Sequence, residues 1–493
     1  MSFIGLDAGT TGIKAYAYND RGTVLASSYK EYRLITPRDG WSELDPQEIL
    51  EAADTVLREI AGRLPAERHY IAAASCAQAF VPLDEEDRPL YRFMSTIDTR
   101  TYREDEWWRK NADEERIFRK TGLPFSPIYT ANKLIWLRDN EPDVFRRARR
   151  FFLVQDFLTW HLSGEALIDR SLASRGMMLD IHRCEWDEEI LGIIGVRKEQ
   201  FSVPVRAGTV VGRIRSAAAE KTGLPADTMI VVGSHDQICG TIGCGAVKKG
   251  MTTDAAGTIE VLLPITDGIP DMHGLIRYHF PCIPHVLDGR YAVMSINQNS
   301  GVLLKWYRDL VSAGSAEKIS YRELIEESVD HVADLYVLPH LNGCETPISD
   351  PLSSAAFVRM RMHHTRADLT RAVLDGIAYD LREQVNAFEE IGIPIGEIRA
   401  IGGGARTDKL LQIKADCTRR VIRTTKVTEA ASLGAAILAA VGSGVYADPE
   451  QAVECMVQPD KTFCPRENVS REYDEGFAVF SDLYGALKGI NHR

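Results

Sequence analysis

Gly5-Leu6-Asp7-Ala8-Gly9-Thr10-Thr11-Gly12-Ile13-Lys14 stands near the start of a 493-residue chain and decides its fold. The apolar alternation Ile13, Ala15, Ala17 after the glycines predicts a β-hairpin closed by a special turn. Glycines let a backbone approach a ligand closely, and successive N–H groups in such a turn form an anion-binding concavity. The pattern returns at Thr252-Thr253-Asp254-Ala255-Ala256-Gly257-Thr258-Ile259, followed by Val261 and Leu263. Two hairpins of this kind imply two related halves that clasp one polyphosphate.

Outward from the first hairpin, Asn19-Asp20-Arg21-Gly22 reads as a turn and Thr23-Val24-Leu25-Ala26 as a third strand. Asp45 can cap a helix that Pro46 opens, and Leu50, Ala53, Val56, Leu57 and Ile60 recur at helical spacing. Ile71–Ser75 and Met229–Gly233 read as buried strands, and strands alternating with helices argue for an α/β protein. After the second hairpin, Leu369, Val373, Ile377, Leu381, Val385 and Phe388 mark a long amphipathic helix. A strand at Ile398–Ile401 runs into Gly402-Gly403-Gly404-Ala405, a helix follows from Asp408 to Cys417, and Ala430–Val441 is a small, apolar helix. The polar stretch Val247-Lys248-Lys249-Gly250 places the domain boundary, giving domains 1–246 and 247–493, with a helical tail from about Asp448.

A net charge of −12 disfavours nucleic acid and anionic membranes as partners. Nine dispersed cysteines, none in Cys-x-x-Cys spacing, read as reduced cytoplasmic thiols. Charged Asp7 and Lys14 interrupt the start, so no apolar leader is expected, and no run approaches the ~20 apolar residues of a membrane span.

Two aspartates are candidates for chemistry. Asp7 beside a phosphate-cradling turn would repel phosphate unless a cation intervened, which points to Mg²⁺ held through water; the alternative is a local turn hydrogen bond. Asp236, in Gly233-Ser234-His235-Asp236-Gln237, follows a buried strand, where an α/β fold places catalytic groups. It could take the proton of an acceptor hydroxyl, or it could merely cap a helix. His235 reads as a structural hydrogen-bonding residue. Asp98 and Arg100 could bind a polyol through paired hydrogen bonds or form an ordinary surface ion pair. Arg146-Arg147-Ala148-Arg149-Arg150 reads as a solvated helix face, and Trp107-Trp108 as a packing anchor.

In this order, the motifs resemble those of the FGGY family of carbohydrate kinases. Gly40-Trp41-Ser42-Glu43-Leu44-Asp45-Pro46 is similar to the family's Gly-Trp-x-Glu-x-Asp-Pro, and Lys133–Asn140 to its first signature, from which Ile128 departs. Asp169, Ser171, Ala173 and Ser174 match Asp-x-Ser-x-Ala-Ser; Gly343-Cys344-Glu345-Thr346-Pro347 resembles Gly-Glu-Arg-Thr-Pro in altered order. Arg371–Ile377, Gly403-Gly404-Ala405 and Glu429–Ala436 resemble the later helix, adenosine and closing motifs. The resemblance implies two ribonuclease H-like domains, the actin-like ATPase fold, with ATP and sugar in the cleft between them. It implies that Asp236 is the base and Asp7 the Mg²⁺ site. Gly9, Thr10, Thr11, Lys14, Gly257 and Thr258 would then bind the ATP phosphates, and Gly403, Gly404, Ala405 and Asp408 the adenosine. Ala77, Gln78, Asp98, Arg100 and Gln237 would meet the acceptor. Ala77-Gln78 stands where glycerol kinases carry Arg-Glu and xylulokinases Met-His, and Thr96 replaces a frequent Trp, so the acceptor pocket departs from both. The nearest branch is xylulokinase-like, and the expected acceptor is a ketopentose, with sugar acids, deoxysugars and polyols as alternatives. The resemblance leaves a homodimer open. An actin- or chaperone-like ATPase would share the hairpins but would not need the sugar-side motifs.

Overall fold

The computed structural model describes residues 1–65, 67–314 and 317–493, and its chain divides into two compact units. Neither unit is contiguous. The first holds Met1–Val247, Cys282–Ala292 and Glu429–Gln458, and the second holds Lys248–Pro281, Val293–Thr428 and Pro459–Arg493. The expected division into 1–246 and 247–493 falls at the main change of unit, and the chain then returns to the first unit twice, at Cys282–Ala292 and Glu429–Gln458.

The first unit is built on β1 (Ser2–Ala8), β2 (Gly12–Tyr18) and β3 (Val24–Glu31), an antiparallel meander. Helix α1 (Pro46–Ala61) follows, with the Asp45 carboxylate accepting from Gln47 N at 2.8 Å. Its face of Ile49, Ala53, Val56, Leu57 and Ile60 is wholly buried and joins Ile4, Leu6, Ile13 and Ile71 in one core. Strand β4 (His69–Ser75) runs parallel to β1. Helices α2 (Thr130–Asn140) and α3 (Val154–Ser163) precede β5 (Val210–Arg213) and β6 (Met229–His235), and α4 (Asp236–Gly243) leaves the end of β6. The sheet order is β5-β6-β4-β1-β2-β3, with β6 parallel to β4. In register, Asp7 lies beside Ala74, and Ser75 beside both Ala8 and His235. Asp7 and Asp236 therefore stand at the carboxyl ends of parallel strands on one side of the sheet, where α/β proteins gather ligands. A register shift between Val231 and Ser234 turns the end of β6 just before Asp236, a usual place for a bulge.

The second unit repeats the plan. Strands β7 (Met251–Ala256) and β8 (Glu260–Asp267) form the second hairpin, and β9 (Ser295–Asn297) pairs antiparallel with β8. The long helix α5 (Arg366–Glu390) leads to β10 (Glu397–Ile401), α6 (Asp408–Thr418) and β11 (Val421–Thr425). Strand β10 runs parallel to both β7 and β11. The order β9-β8-β7-β10-β11 thus matches β3-β2-β1-β4-β6, an antiparallel meander continued by two parallel strands. This is the ribonuclease H-like arrangement, twice.

Helix α7 (Ala430–Gly442) belongs to the first unit because its small residues let it lie against β1, β4 and α4. A Cβ on Gly5 would fall 1.8 Å from Ser432 O, and one on Gly434 would fall 1.9 Å from Cys239 O. The tail is not wholly helical: β12 (Pro459–Phe463) pairs with β11 before α8 (Glu467–Asn491) begins. The third strand is longer than read, and the arginine run divides between a helix at Pro142–Arg147 and a strand at Arg150–Leu153. Of the Trp107-Trp108 pair, Trp108 is fully buried, as a packing anchor requires, whereas Trp107 is exposed. All nine cysteines are free, with only Cys455 and Cys464 exposed. Among the described residues no helix is long and apolar enough to cross a membrane.

Candidate active site

Asp236 opens α4, and a buried network fixes the backbone around it. Asp169 Oδ2 accepts from Ser171 N (2.8 Å), Ser171 Oγ (2.6 Å) and Ser234 Oγ (3.0 Å). Ser171 Oγ in turn lies 3.4 Å from His235 N, so the Asp-x-Ser motif anchors the end of β6. Asp236 Oδ1 accepts from Gln237 N at 2.6 Å and lies 3.1 Å from His235 Nε2. Burial pushes the Asp236 carboxyl up to about 7; the Asp7 charge adds to the rise, while the Gln237 N–H and the Arg175 charge oppose it. The position suits a general base working near neutral pH. His235, which sequence reasoning left as a structural residue, is in contact with this carboxylate. Burial, then the Arg175 charge, pulls its pKa well below the usual value, so the imidazole is neutral. With Nε2–H assigned to Asp236, Nδ1 is an acceptor; it is buried and has no partner among the described residues.

Asp7 and Lys14 are directly opposed across the first hairpin. Burial pushes the Asp7 carboxyl up to about 6, with Lys14 opposing and Glu429 adding to the rise. Lys14 Nζ is bound to Glu429 Oε2 at 2.6 Å, a residue that sequence reasoning placed only in the closing motif. Gly9 N donates to Gly12 O across the turn, and the Tyr32 hydroxyl holds Gly9 O.

Gln78 occupies the acceptor position of the sequence reading, in a strained left-handed conformation with φ of +63°. Its backbone carbonyl is held by Lys133 Nζ (3.1 Å) and Thr130 Oγ1 (3.2 Å). Lys133 is fully buried, reaches Ser95 O at 2.8 Å as well, and desolvation lowers its pKa to about 7. With the Gln78 amide assigned so that both of its ends are satisfied, its nitrogen donates to Ala77 O (2.9 Å) and its oxygen accepts from Arg175 Nε (3.1 Å) and Nη2 (2.8 Å). Thr96 Oγ1 also donates to Ala77 O. Gln237 Oε1 is buried without a partner among the described residues. Arg175 escaped sequence reasoning; nothing in its spacing separates it from the other arginines.

Asp98 and Arg100 adjoin Lys133, and the surface-pair reading is corrected: both side chains are buried and spend their hydrogen bonds on protein groups. Asp98 is fully buried; its carboxylate takes Ser42 N at 2.7 Å and Arg100 Nε at 2.8 Å. The Arg100 guanidinium also binds Glu43 and stacks 3.8 Å from the Trp41 ring. Neither side chain keeps a free hydrogen-bonding face, because the Gly-Trp-x-Glu motif uses them to lock a loop.

In the second unit, Gly257 N donates to Ile259 O, and Gly301 approaches so closely that a Cβ on it would lie 2.2 Å from Gly257 O. Ala255 stands where the first hairpin has Asp7, two residues before the glycine, so only one hairpin carries a carboxylate at that place. Asp254 is instead bound with Glu260 to Lys414, and all three are fully buried. Gly402, Ala405, Arg406 and Asp408 line a pocket with Thr425 and Thr428. Gly403 and Gly404 adjoin it in the same turn, and Asp408 is paired with Lys461 at 2.8 Å. This glycine turn ahead of α6 leaves backbone open to a nucleoside.

Residues 2–243 match the N-terminal domain, and residues 276–443 the C-terminal domain, of the FGGY family of carbohydrate kinases. The chain is 27% identical to a xylulose kinase of Bacillus subtilis, over 99% of this chain and 97% of that protein. It is 27% identical to a gluconokinase of Bacillus licheniformis, over 98% and 96%. The crystal structure of xylulose kinase from Rhodospirillum rubrum superposes with a TM-score of 0.91 at 25% identity, covering all of both chains.

Proposed function

This chain belongs to the FGGY family of carbohydrate kinases, and from that premise we propose that it transfers the γ-phosphoryl group of ATP to a hydroxyl of a ketopentose such as xylulose. The protein is a sugar kinase, a phosphotransferase with an alcohol acceptor, and kinases of this family use ATP. The observation that carries the phosphoryl transfer is Asp236, a carboxylate a quarter exposed with its pKa raised to about 7, beside unpartnered polar atoms at the end of β6. The ketopentose draws on the relatives named xylulose kinase.

Asp236 takes the proton of the attacking hydroxyl as the new O–P bond forms and the bond to the β-phosphate oxygen of ATP breaks. His235 Nε2 and Gln237 N hold the carboxylate in place for that transfer. Lys14 and the N–H groups of the turns at Gly9–Thr11 and Gly257–Thr258 receive the phosphates, with the Glu429 carboxylate steadying Lys14. Gly403, Gly404, Ala405 and Asp408 receive the adenosine. Asp7 suits a hydrated Mg²⁺: its carboxylate accepts no hydrogen bond among the described residues, yet lies partly shielded from water beside the phosphate turn. When bound there, the ion would neutralise phosphate charge.

ADP release with Mg²⁺-ATP, measured across ketoses, aldoses, polyols and sugar acids, tests the reading. A large rate with a ketopentose that vanishes in Asp236→Asn is the expected result. A preference for gluconate would replace the acceptor and keep the chemistry. Sugar-independent turnover that survives the substitution would remove both.

A further inference from the structure

Resting on the assignment of Asp236 as base, we infer that Arg175 is a specificity-determining residue that reads an sp² oxygen on the acceptor, a keto carbonyl or a carboxylate, and discriminates against the corresponding polyol.

Arg175 is 3% exposed, yet makes no ion pair among the described residues. Its Nε and Nη2 share Gln78 Oε1, the Tyr129 hydroxyl also accepts from the guanidinium, and its Nη1 is buried with no partner among the described residues. The Tyr129 ring lies 5.8 Å from the guanidinium carbon. Burial lowers its pKa, while Tyr129 and Asp236 favour the cation; His235 is the other titratable group that senses it. A buried guanidinium without a carboxylate partner is unfavourable, and so is a buried N–H without an acceptor. Both are relieved when a ligand supplies the missing oxygen.

The unpartnered atoms around Asp236 specify that ligand. Arg175 Nη1 can only donate, whereas His235 Nδ1 and Gln237 Oε1 can only accept. Hydroxyls suit the two acceptors. Facing the donor, a hydroxyl must send its own proton elsewhere, and Gln78 Oε1 is already committed to Arg175. A carbonyl or carboxylate oxygen carries no proton and forms the stronger, charge-assisted bond. Gln78 then acts as the positioning residue: its left-handed backbone, pinned by Lys133 and Thr130, sets the amide that aims the guanidinium.

The test compares oxidised and reduced acceptors of equal carbon number, xylulose against xylitol and gluconate against glucitol, in the wild type, Arg175→Met and Arg175→Lys. The wild type should favour the oxidised member by about 10- to 100-fold in kcat/KM, the range of one charge-assisted hydrogen bond. In Arg175→Met the preference should collapse through the acceptor KM, with the ATP KM unchanged. Arg175→Lys should restore part of it. Acceptor binding without ATP, by titration calorimetry, should show the same ordering, and a thermal melt establishes that each variant folds. A wild type that uses polyols as well as their oxidised partners overturns the inference, as does an Arg175→Met enzyme that keeps the preference. Gluconate preferred to xylulose, with the preference still dependent on Arg175, overturns only the ketopentose proposed above. No turnover of any pair overturns both.

Discussion

Replacing Asp236 with Asn should damage activity and improve stability at the same time, because the carboxylate is held in an environment that disfavours its charge. Asn keeps the oxygen that accepts from Gln237 N (2.6 Å) but cannot take a proton. Loss of a general base lowers kcat by about 10²–10⁴-fold. A base with a pKa of about 7 is ionised in roughly one molecule in ten at pH 6 and nine in ten at pH 8. Wild-type kcat/KM should therefore rise about tenfold between those values, and the residual rate of the variant should lack this limb. The stability effect has a definite sign. The folded-state pKa is raised from 3.8 to about 7, so between these values the native protein holds a proton that the unfolded chain releases. Stability then falls as pH rises through that window, and the full penalty applies above it. Its ceiling is about 4 kcal/mol, and the carboxylate, a quarter exposed, is screened enough to bring the effect lower. Thermal melts at pH 4 and pH 8 give the readout: the variant should melt a few degrees above wild type at pH 8, with the gap closing at pH 4. A variant less stable at pH 8, or one that retains the pH limb, would refute both the burial argument and the assignment of the base.

Gly5→Ala should destabilise the first unit by about 3 kcal/mol or more, because its Cβ would sit 1.8 Å from Ser432 O, a backbone atom that cannot step aside; chemical denaturation checks this. Lys414→Met should be worse, by about 3–5 kcal/mol, since it leaves Asp254 and Glu260 buried without their cation; burial and Asp254 already push Glu260 upward, so the loss should shrink in melts at lower pH, where the carboxylates are protonated. Lys133→Met removes the donor from the Gln78 and Ser95 carbonyls and should raise the acceptor KM about tenfold while sparing the ATP KM, in steady-state assays. Glu429→Gln weakens the grip on Lys14 and should do the reverse, raising the ATP KM by a few-fold.

Features encoded over a few consecutive residues are legible before the chain folds. The hairpins at Gly9 and Gly257, the cap and first turn at Asp45-Pro46, the span of α6 and the place of Asp236 after a buried strand are local patterns of glycine, capping oxygen and apolar period, and each is legible without a partner. Features that depend on distant segments meeting emerge only in the folded chain. Glu429 reaches Lys14 across 415 positions of chain, and Lys414 reaches Asp254 across 160. Asp98 and Arg100 looked like ligand-binding groups because their types allow it, and only the folded loop around Trp41 and Glu43 takes up their hydrogen bonds. Helix α7 looked like part of the second half because it follows that half in sequence; its small residues instead fit against Gly5 and α4 in the first. Arg175 is the plainest case. Its chemistry lies in the acceptor it lacks, and an unpartnered buried donor is a property of the packed environment that no stretch of sequence spells out.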